Sequence, residues 1–575
     1  GLTPGRQGGA FSFTFFADGG SAPRNVAVWE PQRYVDPAGG DAAYALNELS
    51  AGGTAVANSG EIYPGAASGR TTVGTSIATD DQTGAVYGIA YSPTSAAVFQ
   101  SAFHKRFSPY GPGGPGGIYR NGTLFATIPN AGPTVTTFAG DPRWDPTTGH
   151  GVAYLNPAVN GDGVDFAAQV NVGRMSLGGM DMLTNVATGA ETLYVVNMSD
   201  KNLYPVNAAT GAVGAPIDIP APAGEATWRP MGVKVHNGLI YVGGVDEVDL
   251  QARVYALDPQ TGGWSFVWQG ATNIPRTDNS AMAALYNDGN PVDATYVSWR
   301  DDLTGATCND QNLNGVAPGS EGSLADPYLC HLPQPMIADI EFQADGSMVI
   351  GIRDRFGDSA SGNFQYPTIL ADGHPATTGQ PTGRRNGVGL AHGMTLVAPR
   401  VSNVQFGPGV EVFDHEVDLA DGTNIHDHSV QGAILAQASG NVVLTFADPV
   451  IPNSTADANS QGTRRFPQGQ AATIAATSGL MAYGTDPVNT PAAKFNNSGF
   501  GKGGGLGDLV ALTAPAPIEI GNRVWLDTNG NGIQDPKTDL NGDGDFADPG
   551  EDATNPEPGI PGVTVQLLNA AGAVI

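Results

Sequence analysis

Charged side chains are scarce in this chain: Asp, Glu, Lys and Arg make up 14% of 575 residues. Lys and Arg number 26 against 55 acids, a net charge of −29. So acidic a field repels nucleic acid and anionic membranes and attracts cations. Glu/Lys pairing at helical spacing is nearly absent, and no segment reads as a convincing helix of three turns. No run of about 18 apolar residues occurs, so no segment reads as a membrane-spanning helix. Cysteine is limited to Cys308 and Cys330, too few for a Cys-rich zinc module. Also missing are a serine nucleophile elbow, a phosphate-binding glycine loop opening a helix and a paired-cysteine motif. These absences leave no catalytic constellation to assemble, and the expectation is a protein without enzymatic activity.

Glycine and proline are plentiful, at 81 and 43 residues. That composition suits many short strands joined by turns, while 40% hydrophobic content still supports a packed core. A two-strand phrase recurs: a small residue or Asp opens an apolar strand, a polar turn follows, and a second apolar strand answers. It runs Gly88–Tyr91 with Ala97–Phe99, Asp181–Leu183 with Leu193–Val196, and Gly232–Val235 with Leu239–Val242. A weaker copy is Met282–Leu285 with Tyr296–Trp299; Asp339–Phe342 with Met348–Ile350 and Gly432–Leu435 with Val442–Leu444 follow. Asp508–Leu512 opens another without a visible partner. Positions 181, 232 and 283 lie 51 residues apart and 339 follows after 56, a period that fits four-stranded β-propeller blades. Phrases ending in Thr210-Gly211 and Thr261-Gly262 add a third strand and a turn.

The fold class is therefore all-β: a β-propeller of six to eight blades, seven favoured, followed by the start of a small β-sandwich repeat. The intervals 88–181 and 339–432 hold either a further blade each or long loops; an array of β-sandwiches is the alternative. Residues 1–70 carry strand patterns that close or flank the propeller, 71–512 form its body, 513–517 are a Pro-rich joint, and 518–575 are a separate unit. Gly111–Gly117 reads as a flexible loop that no helix tolerates. The chain is expected to continue past Ile575 and to have lost, or to begin after, a leader.

Several loops carry metal chemistry. Asp527, Asn529, Asn531 and Asp535 place oxygens at alternate positions around Gly532. Asp539, Asn541, Asp543, Asp545, Asp548 and Glu551 do the same around Gly544. Such spacing converges on one hard cation, and calcium is the expected cofactor; a pair of Asx-rich turns is the alternative. A third loop, Asp310, Asn312, Asn314 and Glu321, lies between the two cysteines. Those cysteines read as a disulfide stapling a long surface loop in an oxidising compartment, with free thiols as the alternative. His426 and His428 are the one histidine cluster, read as structural or surface groups. Asp181, Asp339 and Asp508 read as residues closing turns at blade starts, or else as lining a central channel. The segment Arg353-Asp354-Arg355-Phe356-Gly357-Asp358 reads as local ion pairing, with a carbohydrate contact as the alternative.

The run IGNRVWLDTNGNGIQDP followed by PGIPGVTVQLLN resembles the SdrD B-type (Cna B-like) repeat of bacterial surface proteins. The resemblance implies a small calcium-stabilised β-sandwich with calcium at Asp527, Asn529, Asn531 and Asp535. The segment KTDLNGDGDFADPGEDATN is an insertion relative to that repeat, and only 518–575 are covered. The body resembles the propeller-like regions that precede such repeats in large secreted bacterial proteins, through VYGIAYSPTSAAVFQSAFHKRFSPYGPGGPGGIY, IADIEFQADGSMVIGIRDRFGD and GLGDLVAL. It implies an extracellular, secreted protein at the bacterial cell surface. The function expected is structural or adhesive, by binding and assembly with surface or matrix components or carbohydrate. The alternatives are a filament or surface-layer subunit completed by strand pairing between copies, and a propeller hydrolase or lyase acting on polysaccharide.

Overall fold

In a computed structural model, the protein is described over residues 41–513 apart from connecting segments. The longest of these are 134–143, 152–165, 273–295, 310–327, 367–384, 413–429, 451–459 and 468–477; residues 1–40 and 514–575 also lie outside the description. Six four-stranded antiparallel sheets form the body. Blade 1 combines Tyr44–Glu48, Asn58–Tyr63 and Thr75–Thr79 with the late strand Leu506–Ala511. Blade 2 runs from Val86–Ser92 through Ala97–Ala102 and Gly117–Arg120 to Thr123–Thr127, and blade 3 from Leu177–Thr184 to Ile217–Asp218. Blade 4 spans Trp228–His236 to Gly263–Ala271, blade 5 Pro335–Phe342 to Val410–Glu411, and blade 6 Val430–Ala436 to Ser478–Gly484. The inner strand of each blade packs on that of the next, and Leu506–Ala511 of blade 1 touches both Val86–Ser92 and Val430–Ala436. The result is a closed six-bladed propeller.

Six blades fall within the six to eight read from the repeat, one fewer than the seven favoured. The Asp508 phrase does have a partner, Tyr44–Glu48, more than 450 residues upstream (Leu46 opposes Leu509). The first half of the Met282 phrase lies outside the described residues, and its second half, Tyr296–Trp299, forms no strand. Among the described residues neither long interval contains a further four-stranded blade. The stretch after blade 2 contains the helix Phe166–Asn171, and blade 5 is interrupted between its second and third strands. Part of that interruption joins an accessory sheet of Thr307–Asn309, Tyr328–His331, Arg385–Gly389 and Gly362–Tyr366.

Blade strands lie between neighbouring blades, so both faces are covered and the strands read as near-continuous apolar runs. All eight residues of Pro335–Phe342 and all seven of Met348–Asp354 are buried. Hairpin turns are set by Asn-Gly pairs with positive φ, Asn121-Gly122 and Asn237-Gly238, the type I′ signature. The Thr-Gly phrases are Asx turns: the Asn207 side chain accepts from Ala209 and Thr210 N–H at 3.0 and 2.9 Å.

The inner strands meet at a collar of small residues. Each blade carries a register shift there, beside Gly88, Gly178 and Gly179, Gly232, Ala338, Gly432 and Gly507. A Cβ on Gly88 would stand 2.6 Å from the Gly178 carbonyl oxygen, and one on Gly178 2.6 Å from that of Met231. The collar lets six backbones converge, and the bulges re-aim the residues that follow. The segment Gly111–Gly117, expected to be a flexible loop, is instead mostly buried. It ends in a 3-10 turn, Gly114–Gly116, and a Cβ on Gly116 would stand 2.1 Å from the Ile128 oxygen.

Candidate functional site: the propeller axis

Just beyond the collar, four inner strands bring acids and one lysine together. Asp508 comes from blade 1, Asp181 from blade 3, Lys234 from blade 4, and Asp339 and Glu341 from blade 5. Asp339 and Glu341 are two residues apart on one strand, so they share a face. Lys234 Nζ is hydrogen-bonded to Glu341 Oε1 and lies 3.7 Å from Asp181 Oδ2. Asp508 and Asp339, from blades separated by blade 6, lie close enough for the charge of one to act on the other.

The acids do not close turns, as the sequence reading favoured. They staple neighbouring blades. Asp181 Oδ1 accepts from Met182 N–H at 2.8 Å while Oδ2 accepts from Val235 N–H of blade 4 at 2.8 Å. Asp339 repeats the pattern, with Ile340 N–H at 2.7 Å and Ile434 N–H of blade 6 at 2.7 Å. Asp508 Oδ1 accepts from Leu509 N–H at 2.8 Å. The inner strands are edge strands of their sheets, which leaves N–H groups outside the ladder, and the carboxylates satisfy them.

The electrostatics follow from burial. Asp339 and Asp508 are 4% and 5% exposed. Burial, then the charges of Asp508 and Glu341, push Asp339 well above the carboxylate range. Burial pushes Asp508 up to about 7 against its Leu509 hydrogen bond. The charge of Asp508 disfavours ionising Asp339 beside it, as close carboxyls do. Burial alone would lower Lys234, but Glu341, Asp181 and Asp339 outweigh it and hold the ammonium charged.

The N-terminal ends of the inner strands are plugged by a second network, from the Arg353–Asp358 segment. Arg353 pairs with Asp358 through two bonds, Nε–Oδ2 at 2.5 Å and an Nη at 2.7 Å from Oδ1. Its remaining donors reach the carbonyls of Gln431, Leu506 and Gly504 at 2.9, 2.8 and 3.4 Å. Lys105 Nζ of blade 2 joins Asp358 Oδ1 at 2.9 Å and lies 4.0 Å from the centre of the Phe500 ring. Burial raises Asp358, but Arg353 and then Lys105 outweigh it and hold the carboxyl below its ordinary value. Arg355 donates to the carbonyls of Val172 and Arg300 at 2.9 and 2.8 Å and lies 4.9 Å from the centre of the Trp299 ring. Local ion pairing is what this segment does; it also ties four blades together.

Most sequence-derived site residues are not placed by the structure. Asp310, Asn312, Asn314 and Glu321, His426 and His428, and all of the C-terminal oxygens from Asp527 to Glu551 lie outside the described residues. Cys308 and Cys330 are directly opposed in the antiparallel pair Thr307–Asn309 with Tyr328–His331; no disulfide is found among the described residues. Lys234 and Glu341 were missed as site residues. The signal was a charge inside an otherwise apolar run, Val-Lys-Val and Ile-Glu-Phe, which a two-strand pattern search absorbs as strand.

No family model matches the chain. The chain is similar to Colossin-A of Dictyostelium discoideum, 26% identical over 510 residues that cover 86% of this chain and 4% of that protein. It is similar to Colossin-C of the same organism, 25% identical over 515 residues, covering 86% of this chain and 42% of that one. The chain thus spans less than half the length of either relative. Among solved structures it is similar to a protein from Lactobacillus plantarum, with 8% identity and a TM-score of 0.32 over 77% of this chain and 96% of that one. A periplasmic gluconolactonase from Pseudomonas aeruginosa gives 12% identity and a TM-score of 0.31 over 82% and 99%. At such TM-scores these two likenesses bear on neither mechanism nor substrate.

Proposed function

We propose that this chain is the rigid binding head of a longer extracellular protein, which acts by binding and assembly with surface or matrix components. The observation that carries this reading is the state of the axial acids. Asp181 and Asp339 have each oxygen engaged by a main-chain N–H, and Glu341 is held by Lys234. The axis works as a clamp that fixes blade geometry, which suits a platform presenting surfaces to a partner. Similarity to colossins over most of this chain but a fraction of their length supports a role as one part of a longer protein. Calcium held by the loops from Asp527 to Glu551, and by the Asp310 loop, is part of the proposal, with the metal ordering those acidic loops.

The test uses the full chain on an array of surface glycans and matrix proteins, beside an assay for release of reducing sugar from polysaccharides. Saturable binding without turnover is expected. Asp508→Asn and Lys234→Met should change thermal stability and leave binding intact. Turnover of a polysaccharide that is lost in folded Lys234→Met would overturn the reading in favour of a hydrolase or lyase.

A further inference from the structure

Blade 1, which closes the ring, contains a buried polar site distinct from the axis. Three oxygens there have no hydrogen-bond partner: Glu48 Oε1, Ser59 Oγ and Asp80 Oδ1. Their residues are 3%, 0% and 2% exposed. Strand register places them together. Asn47 opposes Gly60 at the end of the pairing, and Glu48 and Ser59 are the next residues of these two neighbouring strands. Asn58 opposes Thr79, which sets Asp80 at that end of the sheet, and Asp80 N–H bonds to the Ala57 carbonyl at 2.9 Å. Ser50, two residues after Glu48, donates to Asp80 Oδ2.

The surrounding charges do not satisfy these oxygens. Tyr63 donates to Glu61 Oε2, and Asn58 Nδ2 donates to Glu61 Oε1 at 2.6 Å. Lys494 is the cation acting on Glu48, but its Nζ donates to the carbonyls of Met481 and Ala482 and lies 5.2 Å from the centre of the Tyr63 ring. Glu48 and Glu61 share one ammonium, Asp80 adds its charge at Glu48, and Asp81 adds a further negative field at Asp80. Burial, then Glu61, pushes Glu48 well above the carboxylate range. Burying unpaired carboxyl oxygens is costly unless a proton or a cation compensates them.

We propose that blade 1 binds a hard divalent cation, calcium, between Glu48, Ser59 and Asp80. Two carboxylates and a hydroxyl supply part of the oxygen shell, and main-chain carbonyls and water complete the six to eight positions that calcium accepts. Among the described residues no three His, Cys, Asp or Glu side chains are arranged to hold a metal by themselves. The hydroxyl and main-chain oxygens are therefore integral to the site. Glu48 sits on the strand that pairs with Leu506–Ala511, so the cation would brace the seam where the two ends of the propeller join.

The test is calcium stoichiometry of the full chain, by equilibrium dialysis against calcium chloride at pH 8. Glu48→Gln and Asp80→Asn are each expected to lower the bound calcium by one ion relative to the wild type. Asp527→Asn, aimed at the C-terminal loop, is expected to leave this ion in place. Circular dichroism in excess chelator checks folding, and Ser59→Ala, which removes no charge, should weaken the same ion at least several-fold. Wild-type stoichiometry and affinity in any folded variant among Glu48→Gln, Asp80→Asn and Ser59→Ala would overturn the proposal. Loss of calcium from Asp527→Asn alone would locate the metal in the C-terminal loops and overturn it equally.

Discussion

Replacing Asp358 by Asn should be among the most destabilising single substitutions in the propeller. The carboxylate is fully buried and balances two cations that are equally buried, Arg353 and Lys105. Arg353 has five N–H donors, and they are distributed among Asp358 and the carbonyls of Gln431, Leu506 and Gly504. These bonds join blade 5 to blade 6 and to the closing strand of blade 1, while Lys105 brings in blade 2. Asn keeps one acceptor but turns an N–H₂ group toward a guanidinium and removes the negative charge that Arg353 and Lys105 share. Breaking one partner out of a buried pair costs about 3–5 kcal/mol, and two stranded cations place Asp358→Asn at the upper end. Removing the surplus cation should then help: Lys105→Met in the Asp358→Asn background should recover about 2 kcal/mol, although Lys105→Met alone destabilises. Urea unfolding followed by tryptophan fluorescence reads all four proteins, since Trp228 and Trp268 are buried in blade 4. An Asp358→Asn loss below about 1 kcal/mol, or strictly additive losses in the double variant, would refute the account of the plug.

Three further outcomes follow from the same structure. Asp508 is raised from 3.8 to about 7 in the fold. Its stabilising contribution is therefore complete below about pH 4 and lost as pH rises through 7, roughly 4 kcal/mol at most. Asp508→Asn should flatten the fall in melting temperature between pH 5 and 8, and an unchanged slope would contradict the assignment. Gly351→Ala would put a Cβ 1.9 Å from the Gly432 oxygen, whereas Gly262 faces open space at φ 70°. Thermal melts should show a loss of about 3 kcal/mol or more for the first and about 1 kcal/mol for Gly262→Ala; equal losses would mean that the collar does not set blade spacing. Finally, excess chelator should lower the melting temperature of the full chain and calcium should restore it, so an unchanged melt would remove calcium from the proposed function.

How much of this was legible beforehand depends on how local each feature is. The hairpin turns at Asn121-Gly122 and Asn237-Gly238 follow from dipeptides whose φ preferences are intrinsic. The paired apolar strands follow from runs that need burial on both faces, and their repetition points to blades. Small residues at Gly88, Gly232 and Gly432 were already visible as strand openers. Their reason, contact with a neighbouring blade's backbone, was not. Within the six to eight blades expected, the exact number was not legible, because the partner of Asp508–Leu512 lies at the other end of the chain. Strand pairing across such a distance leaves no periodic trace.

The sequence alone determined that this is an all-β chain of repeated four-stranded units, acidic, and studded with loops of calcium-like spacing. Only the tertiary structure decided that the units number six, that Tyr44–Glu48 and Leu506–Ala511 close them, and that Asp181, Lys234, Asp339, Glu341 and Asp508 share one axis. The reason is physical. Local patterning reflects what each strand must bury, whereas ring closure and the meeting of charges depend on which blades become neighbours. That is settled by backbone approach at the collar and by the pairing of strands from opposite ends of the chain.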